Sequence, residues 1–159
     1  MLLSFPERVK EFLKNASRNK VRMILVGGGA VNFYGYQRHS ADIDFWVDSS
    51  GDNFENLLRT LKDMGFSIEQ LPEKVKTGEQ NISIKISPVF ELELITKFDP
   101  GRSFEEAYVE SQEVDKNGMK YRVLNFDDLI RSKITSERAK DKLDIQELQR
   151  IRQNRKKEN

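Results

Sequence analysis

The run Val21-Arg-Met-Ile-Leu-Val26 is almost wholly apolar and stops abruptly at Gly27-Gly-Gly29, and no other stretch constrains the fold as tightly. A short apolar run of this kind reads as a buried strand, and consecutive glycines read as a tight turn. Ala30–Tyr36 then predicts a short helix, and Asp42–Val47 predicts the next strand. Thirteen residues lie between Gly28 and Asp42, room for one short helix and a turn back into that strand. A buried strand, a helix and a returning strand place the chain in the α/β (α+β) class.

The remaining segments suit one domain, and 159 residues suffice for its core. Ser4-Phe-Pro-Glu7 predicts a helix start, with Ser4 capping, Pro6 in the first turn and Glu7 closing a capping box. Phe5, Val9, Phe12 and Leu13 make its apolar face. Phe54, Leu57, Leu58 and Leu61 repeat at helical spacing, with Gly65 as the stop. Ile82–Ser87 and Phe90–Ile95 alternate apolar and polar residues around Ser87-Pro88, which predicts an antiparallel pair. Residues 97–120 offer only a turn at Asp99-Pro-Gly101 and a helix around Phe104–Val109. A strand at Tyr121–Leu124 leads to a helix capped by Asn125, with Leu129, Ile130 and Ile134 facing inward. A last helix runs from Asp141 to about Ile151 and is expected to bury Leu143, Leu148 and Ile151. The expectation is a small mixed or antiparallel sheet flanked by helices over 1–159, with a basic tail at about 150–159.

Composition narrows the setting. The chain has no cysteine, which excludes a disulfide framework and a cysteine zinc site and suits a reducing cytoplasm. Met1–Phe5 is too short an apolar run for a signal peptide, and nothing approaches the roughly 20 apolar residues of a membrane helix. A formal net charge of +1 exerts no global pull on nucleic acid. The cations of Arg150–Lys157 read either as a solvated helix end or as an RNA-contacting tail.

Alternation along Ala41-Asp-Ile-Asp-Phe-Trp-Val47 puts Asp42, Asp44 and Trp46 on one strand face and Ile43, Phe45 and Val47 on the other. Neighbouring carboxylates raise each other's pKa unless a cation neutralises them. Mg²⁺ suits such a pair, being hard and satisfied by carboxylates, waters and phosphate oxygens. Two such ions about 3.5–4 Å apart can activate an attacking hydroxyl and stabilise a leaving pyrophosphate. Alone, Asp-x-Asp is a weak signal and reads first as a solvated strand face. Phe90-Glu-Leu-Glu-Leu-Ile95 adds Glu91 and Glu93 on one face, so a neighbouring strand would supply a third carboxylate. The glycines let backbone approach a phosphate, and N–H groups at a helix start favour an anion. Neither a Walker loop nor a G-x-G-x-x-G fingerprint is present.

Leu25-Val-Gly-Gly-Gly-Ala-Val-Asn32 followed by Arg38-His-Ser-Ala-Asp-Ile-Asp-Phe45 resembles the signature of the DNA polymerase β-type nucleotidyltransferase superfamily. The closer similarity is to its minimal bacterial branch, which includes AbiEii-type toxins. It spans most of 21–47, the strand at 89–96, and 121–148. The resemblance implies that Gly27 and Gly28 hold the triphosphate and that Asp42 and Asp44 ligate Mg²⁺, with Mn²⁺ as an alternative. It also implies that Glu93, where relatives carry Asp, completes the metal site. Gly29 stands where relatives carry a larger residue.

Lys133, on an otherwise apolar helix face, is implied as a cation for triphosphate or pyrophosphate; the alternative is a side chain snorkelling from the core edge. Arg38 and Ser40 shape the turn before Asp42 and contact phosphate. Arg138, Lys140, Asp141 and Asp144 follow, with Asp141 as a helix cap and Asp144 orienting Lys133 or acting as a base. His39 is expected on an exposed turn, and Trp46 either stacks a base or lines the core. The implied activity is transfer of an NMP from an NTP to RNA (tRNA included), protein or a small molecule, the last as in antibiotic-modifying enzymes. A member that only binds nucleotide or a partner is the non-enzymatic alternative. With only about 60 residues beyond Glu93, a homodimer or cognate partner protein is expected to complete the acceptor side.

Overall fold

A computed structural model describes residues 4–158; the apolar start at 1–3 and Asn159 lie outside the described residues. Helix α1 (Glu7–Arg18) leads into β1 (Met23–Val26), α2 (Gly27–Phe33), β2 (Asp42–Val47), α3 (Gly51–Asp63) and the single turn α4 (Glu73–Lys76). Then come β3 (Ile82–Ser87), β4 (Phe90–Ile95), α5 (Phe104–Glu110), β5 (Gln112–Lys116), β6 (Met119–Val123), α6 (Phe126–Ile134) and α7 (Ala139–Glu158). Among the described residues the strands form one six-stranded sheet in the order β3-β4-β2-β1-β6-β5. It is mixed: β2 runs parallel to β4 and β1 to β6, while the other neighbours are antiparallel.

One face buries Ile43, Phe45 and Val47, with the Phe12 ring of α1 6.2 Å from that of Phe45 and α3 packed beside α1. Each such fully buried side chain contributes about 1.5–3 kcal/mol. Toward the far end of β2 the other face buries Trp46 between Phe98 and Phe104, at 5.1 and 5.0 Å between ring centroids. Trp46 is therefore a core residue, and the reading of it as a platform for a base falls away. Tyr34, just past α2, donates a hydrogen bond of 2.6 Å to the Leu124 carbonyl and ties α2 to the entry of α6.

Several boundaries differ from expectation for local reasons. Pro6 occupies the capping position of α1 and no side chain caps that helix, because Ser4 lies two residues too early. Val21 donates to the Ala16 carbonyl as the chain leaves α1, so β1 begins only at Met23. Helix α2 starts at Gly27 rather than Ala30. Strand β5 was not foreseen, since only Val114 of Gln112–Lys116 is buried. Its signal is Asn117-Gly118, both at positive φ (54° and 77°), the pair that a two-residue hairpin turn requires. Helix α7 begins at Ala139 and continues to Glu158, well past Ile151. Its inward face is Asp141, Asp144 and Leu148 at i, i+3 and i+7, which turns Leu143 outward to 46% exposure. Ile134, the last residue of α6, is 65% exposed. Among the described residues no helix is long and apolar enough to cross a membrane.

Candidate active site

The site begins where β1 passes directly into α2. Gly27 adopts φ +60°, and a Cβ there would lie 2.6 Å from Oδ2 of Asp44. Glycine is thus required twice, for the left-handed backbone and to let the Asp44 carboxylate rest against the turn. A Cβ at Gly28 would meet Ser40 Oγ at 2.7 Å and Arg38 Nη1 at 3.4 Å. One at Gly29 would strike Leu25 Cδ1 at 2.9 Å, so Gly29 is small because it packs on the core. The Ser40 hydroxyl donates to the Asp42 carbonyl at 2.8 Å and shapes the entry into β2. The first-turn N–H groups of α2 have no partner within the helix and lie beside these residues. Gly27→Ala is expected to cost about 1–3 kcal/mol, combining left-handed strain with displacement of Asp44; urea denaturation measures it.

The parallel register sets Asp42 opposite Glu91 and Asp44 opposite Glu93. Asp42 is exposed and Asp44 half-buried. Burial, then the charges of Asp42 and Glu93, push the Asp44 carboxyl up to about 6, while Lys140 and Lys133 pull it back. Glu93 is raised too, first by burial. Its carboxylate leans across the sheet to accept a 2.5 Å hydrogen bond from Ser83 on β3, and it shares another with Glu91. Among the described residues no three His, Cys, Asp or Glu side chains are gathered closely enough to hold a metal ion. The donor set nevertheless fits a hard divalent cation. Oxygen-only ligands that repel one another and resist ionisation are relieved when a cation arrives.

The cations are arranged differently from expectation. Lys133 is buried on α6, its Nζ 2.9 Å from Asp141 Oδ1 and 3.0 Å from Asp144 Oδ2. Arg38 grips the same Asp144 with two bonds, Nε at 2.6 Å and Nη2 at 2.8 Å, which hold its guanidinium firmly protonated. Burial pushes Asp141 upward, but bonds from Ser136, Lys133 and Arg138 outweigh it and bring its carboxyl down to about 2. Lys133 and Arg38, the two cations assigned to phosphate, are matched within a chain of ion pairs that locks α7 onto α6 and onto the turn before β2. Asp144 is saturated by Arg38 and Lys133, which suits an orienting role and not that of a base. Asp141 sits inside α7 and accepts bonds from other side chains, so it does more than cap. Lys140 has no ion-pair partner among the described residues; it is exposed and close enough to Asp44 to act on it electrostatically. Its signal in the sequence is its place immediately before the inward-facing Asp141. His39 is exposed on the turn, as expected.

A solved structure shares this architecture. The lincosamide antibiotic adenylyltransferase LnuA, solved with lincomycin bound, matches with a TM-score of 0.57 and 18% identity, over 92% of this chain and 98% of its own. JHP933 from Helicobacter pylori matches with a TM-score of 0.47 and 19% identity, over 87% of this chain and 62% of its own. At these identities the first likeness speaks to the fold alone, and the second carries no argument. No protein among those of curated function matches the sequence. The family model described as "Nucleotidyltransferase of unknown function (DUF6036)" matches residues 1–154. With nearly the whole chain spanned by that match, the protein belongs to this nucleotidyltransferase family.

Proposed function

We propose that the protein transfers an NMP group from an NTP, ATP foremost, to an acceptor hydroxyl, using Mg²⁺ held by Asp42 and Asp44. The observation that carries this reading is the Asp44 carboxylate, lying against Gly27 with its pKa pushed up to about 6. When bound, Mg²⁺ supplies charge neutralisation at the phosphoryl oxygens and acidifies the acceptor hydroxyl. Gly27 and Gly28 bring backbone N–H groups to the phosphates, and Lys140 faces the charge that builds on the leaving pyrophosphate. Arg38, Asp144 and Lys133 position these parts. The acceptor oxygen bonds to the α-phosphorus as the bond to the bridging oxygen breaks. Pyrophosphate leaves with the electron pair, and the acceptor proton passes to a carboxylate of the β2–β4 pair. Glu93 suits that task and joins the site by releasing Ser83.

For the acceptor we favour a macromolecule, RNA or protein, as in toxin-type and defence-type members of this superfamily. The exposed cations on the last turns of α7 suit RNA. A second copy or a partner protein would complete that side. A small-molecule acceptor is the second reading, favoured by the fold shared with LnuA over 98% of that enzyme. The test incubates purified protein with Mg²⁺ and each α-labelled NTP against RNA, protein extract and lincosamides. Label is expected on one class, and Lys140→Ala is expected to slow its transfer by roughly 10²-fold. Absence of both transfer and Mg²⁺-dependent NTP binding would overturn the reading in favour of a non-catalytic member.

A further inference from the structure

Strands β1 and β6 run side by side toward the end of the sheet opposite the glycine turn. Leu25 of β1 stands in register with Val123 of β6. A cavity of about 400 Å³ opens there, lined by Lys20, Arg22, Lys120 and Arg122 with Tyr108 and Tyr121. Glu113 is the one acidic residue in that lining. Cavities of this size hold small organic ligands.

The four cations are not equally committed. Arg22 is matched by Asp48 at 3.2 Å and Glu105 at 2.5 Å, both outside the lining. Arg122 reaches Glu113 only at 3.9 Å, and Lys120 reaches Asp115 only at 3.9 Å. Lys20 is exposed and has no ion-pair partner among the described residues. An anion entering the cavity meets three cations without breaking a short ion pair. Arg122 is also preorganised. Its guanidinium lies 4.5 Å from the Tyr108 ring centroid and donates to the Tyr108 carbonyl at 3.3 Å and Ser111 Oγ at 3.2 Å. A fork held in this way suits planar, two-point recognition of phosphate oxygens. Arg22 approaches the same ring at 4.6 Å. Lys20 holds a left-handed backbone, φ 60°, unusual for a residue other than glycine. That turn sets Lys20 at the cavity instead of continuing α1.

We propose that this cavity is a second binding site, for a phosphorylated small molecule of mononucleotide size or smaller, distinct from the nucleotidyl-transfer site. The two lie at opposite ends of β1, about 10 Å apart along the strand. The proposal stands on residues the transfer site does not use.

The probe is inorganic pyrophosphate, titrated calorimetrically in EDTA so that metal-dependent binding at Asp42 and Asp44 is silent. Saturable binding is expected in the unaltered protein. It should weaken at least about tenfold in Lys20→Asn/Lys120→Gln, since two charge-assisted contacts are lost. Asn tolerates the left-handed backbone, and both lysines are exposed, so this variant is expected to melt with the parent. Arg122→Lys, which keeps the charge and loses the fork, should also weaken binding. Lys140→Ala should bind pyrophosphate as the parent does. Absence of saturable binding at millimolar pyrophosphate overturns the proposal, as does unchanged affinity in the double-lysine variant. A loss of affinity in Lys140→Ala equal to that in the double-lysine variant overturns it too, by placing the anion at the transfer site.

Discussion

Asp44→Asn is expected to abolish nucleotidyl transfer, by roughly 10³-fold or more, and at the same time to stabilise the metal-free protein. Folding raises the Asp44 carboxyl from 3.8 to about 6, so the folded state holds this proton more tightly than the unfolded state. A raised carboxylate favours the folded state most fully below pH 4. That advantage is lost as pH rises toward 6, where ionisation must occur in a half-buried site beside Asp42 and Glu93. Asn carries no charge and escapes this cost. The difference between 3.8 and about 6 sets an upper bound near 3 kcal/mol, and partial exposure reduces it to about 1–2 kcal/mol at pH 7.5. Urea denaturation in EDTA should therefore rank Asp44→Asn above the parent at pH 7.5, with the gap closing by pH 4. Adding Mg²⁺ should raise the parent's midpoint and leave the variant's nearly unmoved. A variant less stable than the parent at pH 7.5 without metal would remove the electrostatic basis for a cation at Asp44.

Asp144→Ala is expected to be among the most damaging substitutions away from the carboxylate face. Asp144 is fully buried and accepts two bonds from Arg38 and an ion pair from Lys133, itself buried. Removing it leaves a buried ammonium with Asp141 as its only close counter-charge, and a guanidinium with none. Breaking such a pair from one side costs about 3–5 kcal/mol. Because Arg38 and Ser40 flank Gly28 and set the approach to Asp42, transfer should fall along with stability. Asp144→Leu combined with Lys133→Met removes the buried ammonium together with its counter-charge and leaves Asp141 to Arg138 and Ser136, so it should recover part of the lost stability but not the activity. If Asp144→Ala unfolded within about 1 kcal/mol of the parent, the chain of ion pairs would not be what anchors α7. Acid should loosen the same anchor. With its pKa depressed to about 2, Asp141 contributes stability that is whole above its ordinary value near 4 and is lost as pH falls through 2.

What could be read before folding was whatever depends on neighbours along the chain. Period-two alternation placed β2, β3 and β4 at their observed bounds. It also put Asp42 and Asp44 on one face. The apolar run ending in glycines located the β1–α2 turn to within two or three residues, because glycine's conformational freedom is local. Residues governed by distant partners were misplaced. Ile134 and Leu143 look like core residues by helical spacing, yet they are exposed, because the inward face of α7 is set by Asp141 and Asp144 meeting Lys133 and Arg38. Val114 alone anchors β5, too little apolar pattern to announce a strand.

The glycine turn and the paired aspartates were thus determined by the sequence itself, through backbone freedom at Gly27 and strand alternation at Asp42 and Asp44. Tertiary structure decided the rest of the site. It turned Glu93 toward Ser83, bound Lys133 and Arg38 to Asp144, and left Lys140 exposed where its charge acts on Asp44. Alternation and glycine conformation are properties of adjacent residues. The choice of partner for a charged side chain depends on which segments the fold brings within about 4 Å, and that distance is not written in spacing along the chain.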